Sequence, residues 1–424
     1  MSFRPRTGRL LGALVLLPLL ASLSSCGSSS SQGGAAHLNW WIFPEPSGAY
    51  NKAAAACAQA SHGAYDITLQ DLPSSADGQR QQLVRRLAAH DKGVDIMGLD
   101  VTWTPEFAEA GWLVPFQGAD EAAVRNGTLQ TALDTATWKG KLFSAPFNTN
   151  TQLLWYRDDL VPNPPKTWDE MLAMSAQLAK AGKPHYVEVQ GAQYEGATVL
   201  FNTLVASAGG SVLNASDTAP DLGANAKLAV QTLYNFAHSS AADPSLATQM
   251  EDANRLAFES GTAAFELNYP FIYPSAKKNA PALFKHLKWA QYPTVKPGEP
   301  SHVTIGGIDL AVSSYSTHQD AARKAVECLR GKDNQIRNAI DGGLPPTLTE
   351  LYTDPALAKD YPYAQAIQQS LQQASVRPKT PFYQNVSLAI SAAVSPAGSV
   401  SPGSTLPALR SAISDALASK GLVP

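Results

Sequence analysis

The 424-residue chain has little charge. Asp, Glu, Lys and Arg make up 16%, with 32 basic against 35 acidic residues. Without a basic excess, nothing drives binding to nucleic-acid phosphates. Cysteine is scarce, at three residues, and no CxxC pair occurs. The eight histidines are scattered, so the local spacing of a zinc site is missing. No GxSxG elbow, Walker loop or HExxH motif is present. Neither a metal nor a cofactor is therefore expected. The apolar run Leu10–Leu20 falls short of the roughly 20 residues needed to span a bilayer comfortably. Gly and Pro, 30 of each, follow no period, which excludes a collagen-like chain. What remains is 44% apolar, enough for a sizeable core. At roughly 100–200 residues per domain, the length suggests two or three compact units.

The N-terminus has its own pattern. Arg4, Arg6 and Arg9 precede Leu10–Leu20, and the small residues Ala21–Ser25 follow. That is the order of an export signal, with an uncleaved anchor as the competing reading. Leu23-Ser24-Ser25-Cys26 resembles the lipobox of bacterial lipoproteins, with Ser25 where Gly or Ala is usual. The resemblance implies a signal peptide over 1–25 and a lipid on Cys26. Residues 26–36 then form a flexible tether, and ten such residues have a root-mean-square span of roughly 17 Å. Cys57 and Cys328 remain, in a compartment where disulfides persist. From spacing alone they are either a pair or two separate buried thiols.

Beyond the tether, strand-like and helix-like segments alternate, the pattern of an α/β fold. His37–Phe43 and Tyr65–Leu69 read as strands, Ala49–Ser61 and Asp77–His90 as helices. Val94–Leu99 is a continuous apolar run with one Asp, the look of a buried strand. Thr149–Tyr156 reads as one strand, and Pro162–Lys166 stops it. Glu195–Ala208 reads as a helix ended by Gly209-Gly210. His302–Val312 is β-rich around a glycine pair. The tail from Ala356 is mainly helical, interrupted by a Pro/Gly/Ser loop at Ser395–Ser404.

Several segments together resemble the extracellular solute-binding proteins of sugar ABC importers, the maltose-binding-protein-like family. They are APFNTNTQLLWYRDDLVPNPPKTWDEM (145–171), LAFESGTAAFELNYPF (256–271), VTIGGIDLAV (303–312) and GGLPP (342–346). MGLDVTWTPEFAEAGW (97–112), FNTLVASAGGSVL (201–213) and ASVRPKTPFYQ (374–384) are similar to the LpqY group of actinobacterial trehalose-binding lipoproteins. The resemblance implies a two-lobe periplasmic-binding-protein-like fold with a ligand cleft between the lobes. One lobe would comprise 37–149 and 303–350, the other 150–302 and 351–424. It places Cys57 and Cys328 on helices of one lobe, where a disulfide joins them. It also implies a non-catalytic monomer on the outer face of the membrane. Such a protein hands its sugar to permease subunits served by an ATPase on another chain.

A sugar is a ring of hydroxyls around C–H faces. Carboxylates, Arg and Asn suit the hydroxyls, and Trp or Tyr suits the faces. Asp100 follows an apolar strand, and ligands bind outside the carboxyl ends of strands in α/β sheets. The ordinary reading of this residue is a turn Asp, that of Asn150 a turn Asn and that of Arg377 a solvated surface group. The resemblance makes all three ligand-binding, with Glu251 and Tyr269 beside them. Tyr269 stands where the trehalose-binding relatives carry Trp. Gln79, Gly307 and the pair Tyr194-Glu195 complete the set. For the last pair, exposed helix-start residues are the alternative. Trp103, Trp112 and Trp155 serve equally as core or as cleft wall. The charged candidates are expected to face a wet cleft.

An exported glycoside hydrolase working through a carboxyl pair is the competing class. Within the binding class, a maltodextrin, another oligosaccharide or a glycerophosphodiester competes with trehalose as ligand.

Overall fold

The computed structural model describes residues 34–419. The expected export signal, the lipobox with Cys26 and most of the tether lie outside the described residues. Eleven strands are present among the described residues: β1 Ala36–Ile42, β2 Tyr65–Asp71, β3 Ile96–Asp100, β4 Thr137–Trp138, β5 Lys141–Leu142, β6 Ala145–Asn150, β7 Leu153–Arg157, β8 Tyr186–Glu188, β9 Ala263–Asn268, β10 Leu287–Ala290 and β11 Gly306–Val312.

They build two lobes around separate mixed sheets. The first has the order β2-β1-β3-β11-β6 and the second β10-β7-β9-β8. β1 runs parallel to β2 and β3, and β11 runs antiparallel to β3 and β6. In the second sheet β7 is antiparallel to both neighbours, while β8 runs parallel to β9. β4 and β5 form a small separate hairpin. β9 is buried along its whole length, as expected of a strand covered on both faces.

The segment read as one strand, Thr149–Tyr156, is two. Asn150 ends β6 in the first sheet, and Leu153 starts β7 in the second. Thr151 and Gln152 make the crossing between lobes. An apolar pattern reports burial but not which sheet buries it, so the break left no mark.

Each lobe has its own core. In the first, the Trp40, Tyr50 and Phe147 rings pack with centroids 5.3–5.6 Å apart. Helices Ala49–Ala60 and Gln319–Leu329 pack over this lobe, and a disulfide joins Cys57 to Cys328 across 271 residues. In the second, helix Glu195–Ser207 is buried nearly all round. Helices Ala224–Ala237 and Tyr383–Val394 enclose it through Leu233, Phe236, Val386 and Ile390. A further apolar cluster brings Leu129 and Ala339 together with Trp155, Phe258 and Tyr363. Trp103 and Trp155 are buried in apolar clusters, so they serve as core and not as cleft wall.

Candidate functional site

Asp100 is the last residue of β3, at the carboxyl edge of the first sheet. Its Oδ1 accepts from Thr102 N at 3.0 Å and from Thr102 Oγ1 at 2.8 Å, which orients the carboxylate. Glu195 opens helix Glu195–Ser207 of the second lobe. Arg377 lies between them, in the extended stretch before helix Tyr383–Val394. Its Nη2 donates to Asp100 Oδ1 at 3.1 Å and its Nη1 to Glu195 Oε1 at 2.5 Å. Glu195 also accepts from Tyr383 Oη and Ser387 Oγ.

This geometry corrects the expectation of a wet cleft. The Arg377 side chain is only 3% exposed and is ion-paired on both sides. Burial opposes its charge, and the carboxylates of Asp100 and Glu195 more than offset that, holding it firmly charged. Burial likewise pushes the Glu195 carboxyl up, with Arg377 pulling the other way. Nor is Glu195 an exposed helix-start residue, since it is 8% exposed.

A second group adjoins the first. Glu251 opens helix Glu251–Glu259, and burial raises its carboxyl above the usual range. The Tyr194 hydroxyl is buried beside it without a well-formed hydrogen bond. Burial first, and then the Glu251 charge, hold that phenol well above its ordinary value. Gly196 permits this packing, because a Cβ there would run into the Tyr194 ring. The Tyr269 ring approaches Gly306, which pairs with Asn150 between β11 and β6. Burial raises the Tyr269 phenol, and the charges felt there belong to Glu251, Arg377, Asp100 and Glu195. Asn150 Oδ1 and Arg377 Nε are buried with hydrogen-bonding capacity unused. The set thus combines carboxylates, an Arg fork, a free amide oxygen and two phenol rings.

Two expected residues have other contacts in the structure. Gln79 is buried, but its Nε2 donates to Ser74 O at its own helix start. Gly307 has φ +132°, and a Cβ there would sit 2.8 Å from Thr149 Cα, so its role is the close approach of β11 to β6.

The sequence reading missed Tyr383 and Ser387, both partners of Glu195. They stand four apart on one helix, hence on one face; Tyr383 lies within the SVRPKTPFYQ segment and Ser387 just beyond it. It also missed two contacts of the same tail. Gln384 Nε2 donates to Asp77 Oδ1 at 2.6 Å, and Lys379 Nζ to Asp134 O at 2.6 Å. Far from the site, Asp158, Asp159 and His286 approach one another, but Lys288 and Arg157 already pair with those carboxylates.

A family model described as bacterial extracellular solute-binding protein matches residues 43–336, well over half of the chain. The chain belongs to the bacterial extracellular solute-binding proteins. A Deinococcus radiodurans protein described as an ABC transporter-binding protein is 29% identical over 343 residues, which cover 77% of this chain and 80% of that one. A maltotriose-binding protein of Pyrococcus abyssi is 25% identical over 293 residues, or 68% of this chain and 62% of that protein. The solved structure of maltose-bound T. maritima MalE3 matches with a TM-score of 0.83 and 25% identity, covering 89% of this chain and 99% of that one. The GacH receptor of Streptomyces glaucescens shares the fold, with a TM-score of 0.79, 21% identity, and coverage of 91% of this chain and 99% of that one. As a member of this family the protein binds a solute and does not transform it. Its place is outside the cytoplasm.

Proposed function

We propose that this solute-binding protein captures a disaccharide, trehalose first, by closing its lobes, and delivers it to the permease of an ABC importer. The observation that carries the reading is the Arg377 bridge between Asp100 and Glu195, which ties the two lobes together at the cleft. A ligand shifts the lobe equilibrium only through differential affinity for the closed state. Groups contributed by both lobes supply that difference. The Arg fork, the carboxylates and Asn150 suit sugar hydroxyls, while Tyr194 and Tyr269 suit the C–H faces. The similarity to LpqY-type segments favours trehalose. Maltose or a maltodextrin is the second reading, favoured by what the Pyrococcus and Thermotoga relatives are named as binding. The lipid on Cys26 and the lobe boundaries expected from the sequence complete the proposal, with permease subunits and a separate ATPase as partners.

Calorimetric titration of trehalose and maltose into the parent and Asp100→Ala tests it. Charged hydrogen bonds contribute about 1.5–3 kcal/mol, so the variant should weaken binding about 10- to 150-fold. Maltose binding without trehalose binding moves the protein to the second reading. Parent binding with an unaffected variant removes the site assignment. Arg377→Ala is a poorer probe, because it leaves Glu195 buried without its cation. Breaking such a pair costs about 3–5 kcal/mol of stability.

A further inference from the structure

Glu188 and Glu266 lie opposite each other on β8 and β9. Both are 0% exposed. Three of their four carboxylate oxygens have no well-formed hydrogen bond: both of Glu188, which the Gln249 and Asn254 side chains approach, and Oε2 of Glu266. Of the charged groups around them, Arg255 alone opposes the effect of burial, and it comes last among the influences on Glu266. Asp243 faces Glu188 from the loop beyond helix Ala224–Ala237. Glu259 and Arg255 of helix Glu251–Glu259 face Glu266. Arg255 is already paired with Glu259 at 2.8 Å and with Asp252 at 2.9 Å. Two carboxylates side by side, fully buried and without a paired cation, are untenable as charges, because an isolated buried charge neutralises.

The one partnered oxygen leads to the candidate site. Asn268 Nδ2 donates to Glu266 Oε1 at 2.7 Å and to the Glu251 carbonyl at 2.9 Å. Asn268 Oδ1 accepts from Tyr269 N at 2.9 Å. One amide thus holds the backbone of two proposed ligand residues, and Glu266 holds that amide. Around it Gln152, Gln190, Asn254 and Gln249 form a buried amide chain ending at Val189 O, beside Glu188.

We propose that Glu266, kept as a neutral acid opposite a neutral Glu188, is a positioning residue that orients Glu251 and Tyr269 through Asn268. The inference about positioning rests on the sugar site proposed above; the inference about neutrality does not. Burial pushes Glu188 up to about 7 and Glu266 well above its usual range, in the direction the geometry requires.

Glu266→Gln keeps the acceptor for Asn268 and cannot ionise. Glu266→Met keeps much of the volume and removes the acceptor. Sugar affinity should be unchanged in the Gln variant. It should fall about two- to tenfold in the Met variant, on the scale of one net hydrogen bond. Equal losses in both variants, or none in Met, overturn the positioning role. The second measurement needs no ligand. Groups with raised folded pKa stabilise below their unfolded value, and that contribution is lost as pH rises through the folded one. The parent melting temperature should therefore fall between about pH 5 and 8, and Glu188→Gln/Glu266→Gln should flatten that fall. The same fall in parent and double variant overturns neutrality, as does parent stabilisation at pH 8 by added calcium that the double variant lacks. If no sugar binds the parent while this pH difference appears, the proposed ligand fails and the neutral pair stands.

Discussion

Asp309, on β11, shows how burial governs single residues here. It is 1% exposed and accepts only long hydrogen bonds, from Thr135 Oγ1 at 3.3 Å and Ser144 Oγ at 3.4 Å. Burial pushes its carboxyl up to about 8, and those hydroxyls only partly oppose it. Its folded pKa lies above the unfolded value near 4, so its contribution to stability is complete at acid pH. It is lost as pH rises through about 8. Asp309→Asn should therefore gain on the parent with pH, by on the order of 2–4 kcal/mol between pH 4 and 8. Urea unfolding of both proteins across that range measures it. A constant difference would show that Asp309 does not titrate there.

At the scale of elements, the stretch from Val376 through helix Tyr383–Val394 acts as a strap. The helix is anchored in the second lobe by Val386, Ile390 and Val394. From it and the residues before it, Arg377, Lys379 and Gln384 reach Asp100, the Asp134 carbonyl and Asp77. The last two contacts lie outside the proposed ligand set, and under the proposed lobe closure they would favour the closed state. Apparent affinity scales with the fraction of protein that is competent to bind. Gln384→Ala should thus weaken sugar binding by up to about tenfold, with a more open ligand-free protein in small-angle scattering. Unchanged affinity and unchanged scattering would deny the strap any role in closure.

For the whole molecule, the disulfide and the N-terminus matter most. The Cys57–Cys328 link closes a loop of 271 residues, which in the chain-entropy model stabilises by about 5 kcal/mol. The proposed membrane attachment is a lipid on Cys26; among the described residues no helix is long and apolar enough to cross a membrane. Cys26→Ala should release the protein from the membrane fraction. If the variant still sediments with membranes, the lipobox reading is wrong.

The sequence alone determined what depends on neighbours in the chain. The apolar run ending in Asp100 announced a buried strand with a carboxylate at its edge, because continuous burial shows in continuous apolarity. Helix Glu195–Ser207 was legible up to its Gly-Gly stop. Family resemblance, not periodicity, singled out Arg377, since one Arg in a loop has no pattern of its own. Tertiary structure alone decided that Arg377 is buried, because its partners lie 277 and 182 residues away. It alone split Thr149–Tyr156 between two sheets and set Glu188 opposite Glu266. Charge pairing and sheet membership are settled by which distant segments meet, and no local pattern of residue types records that.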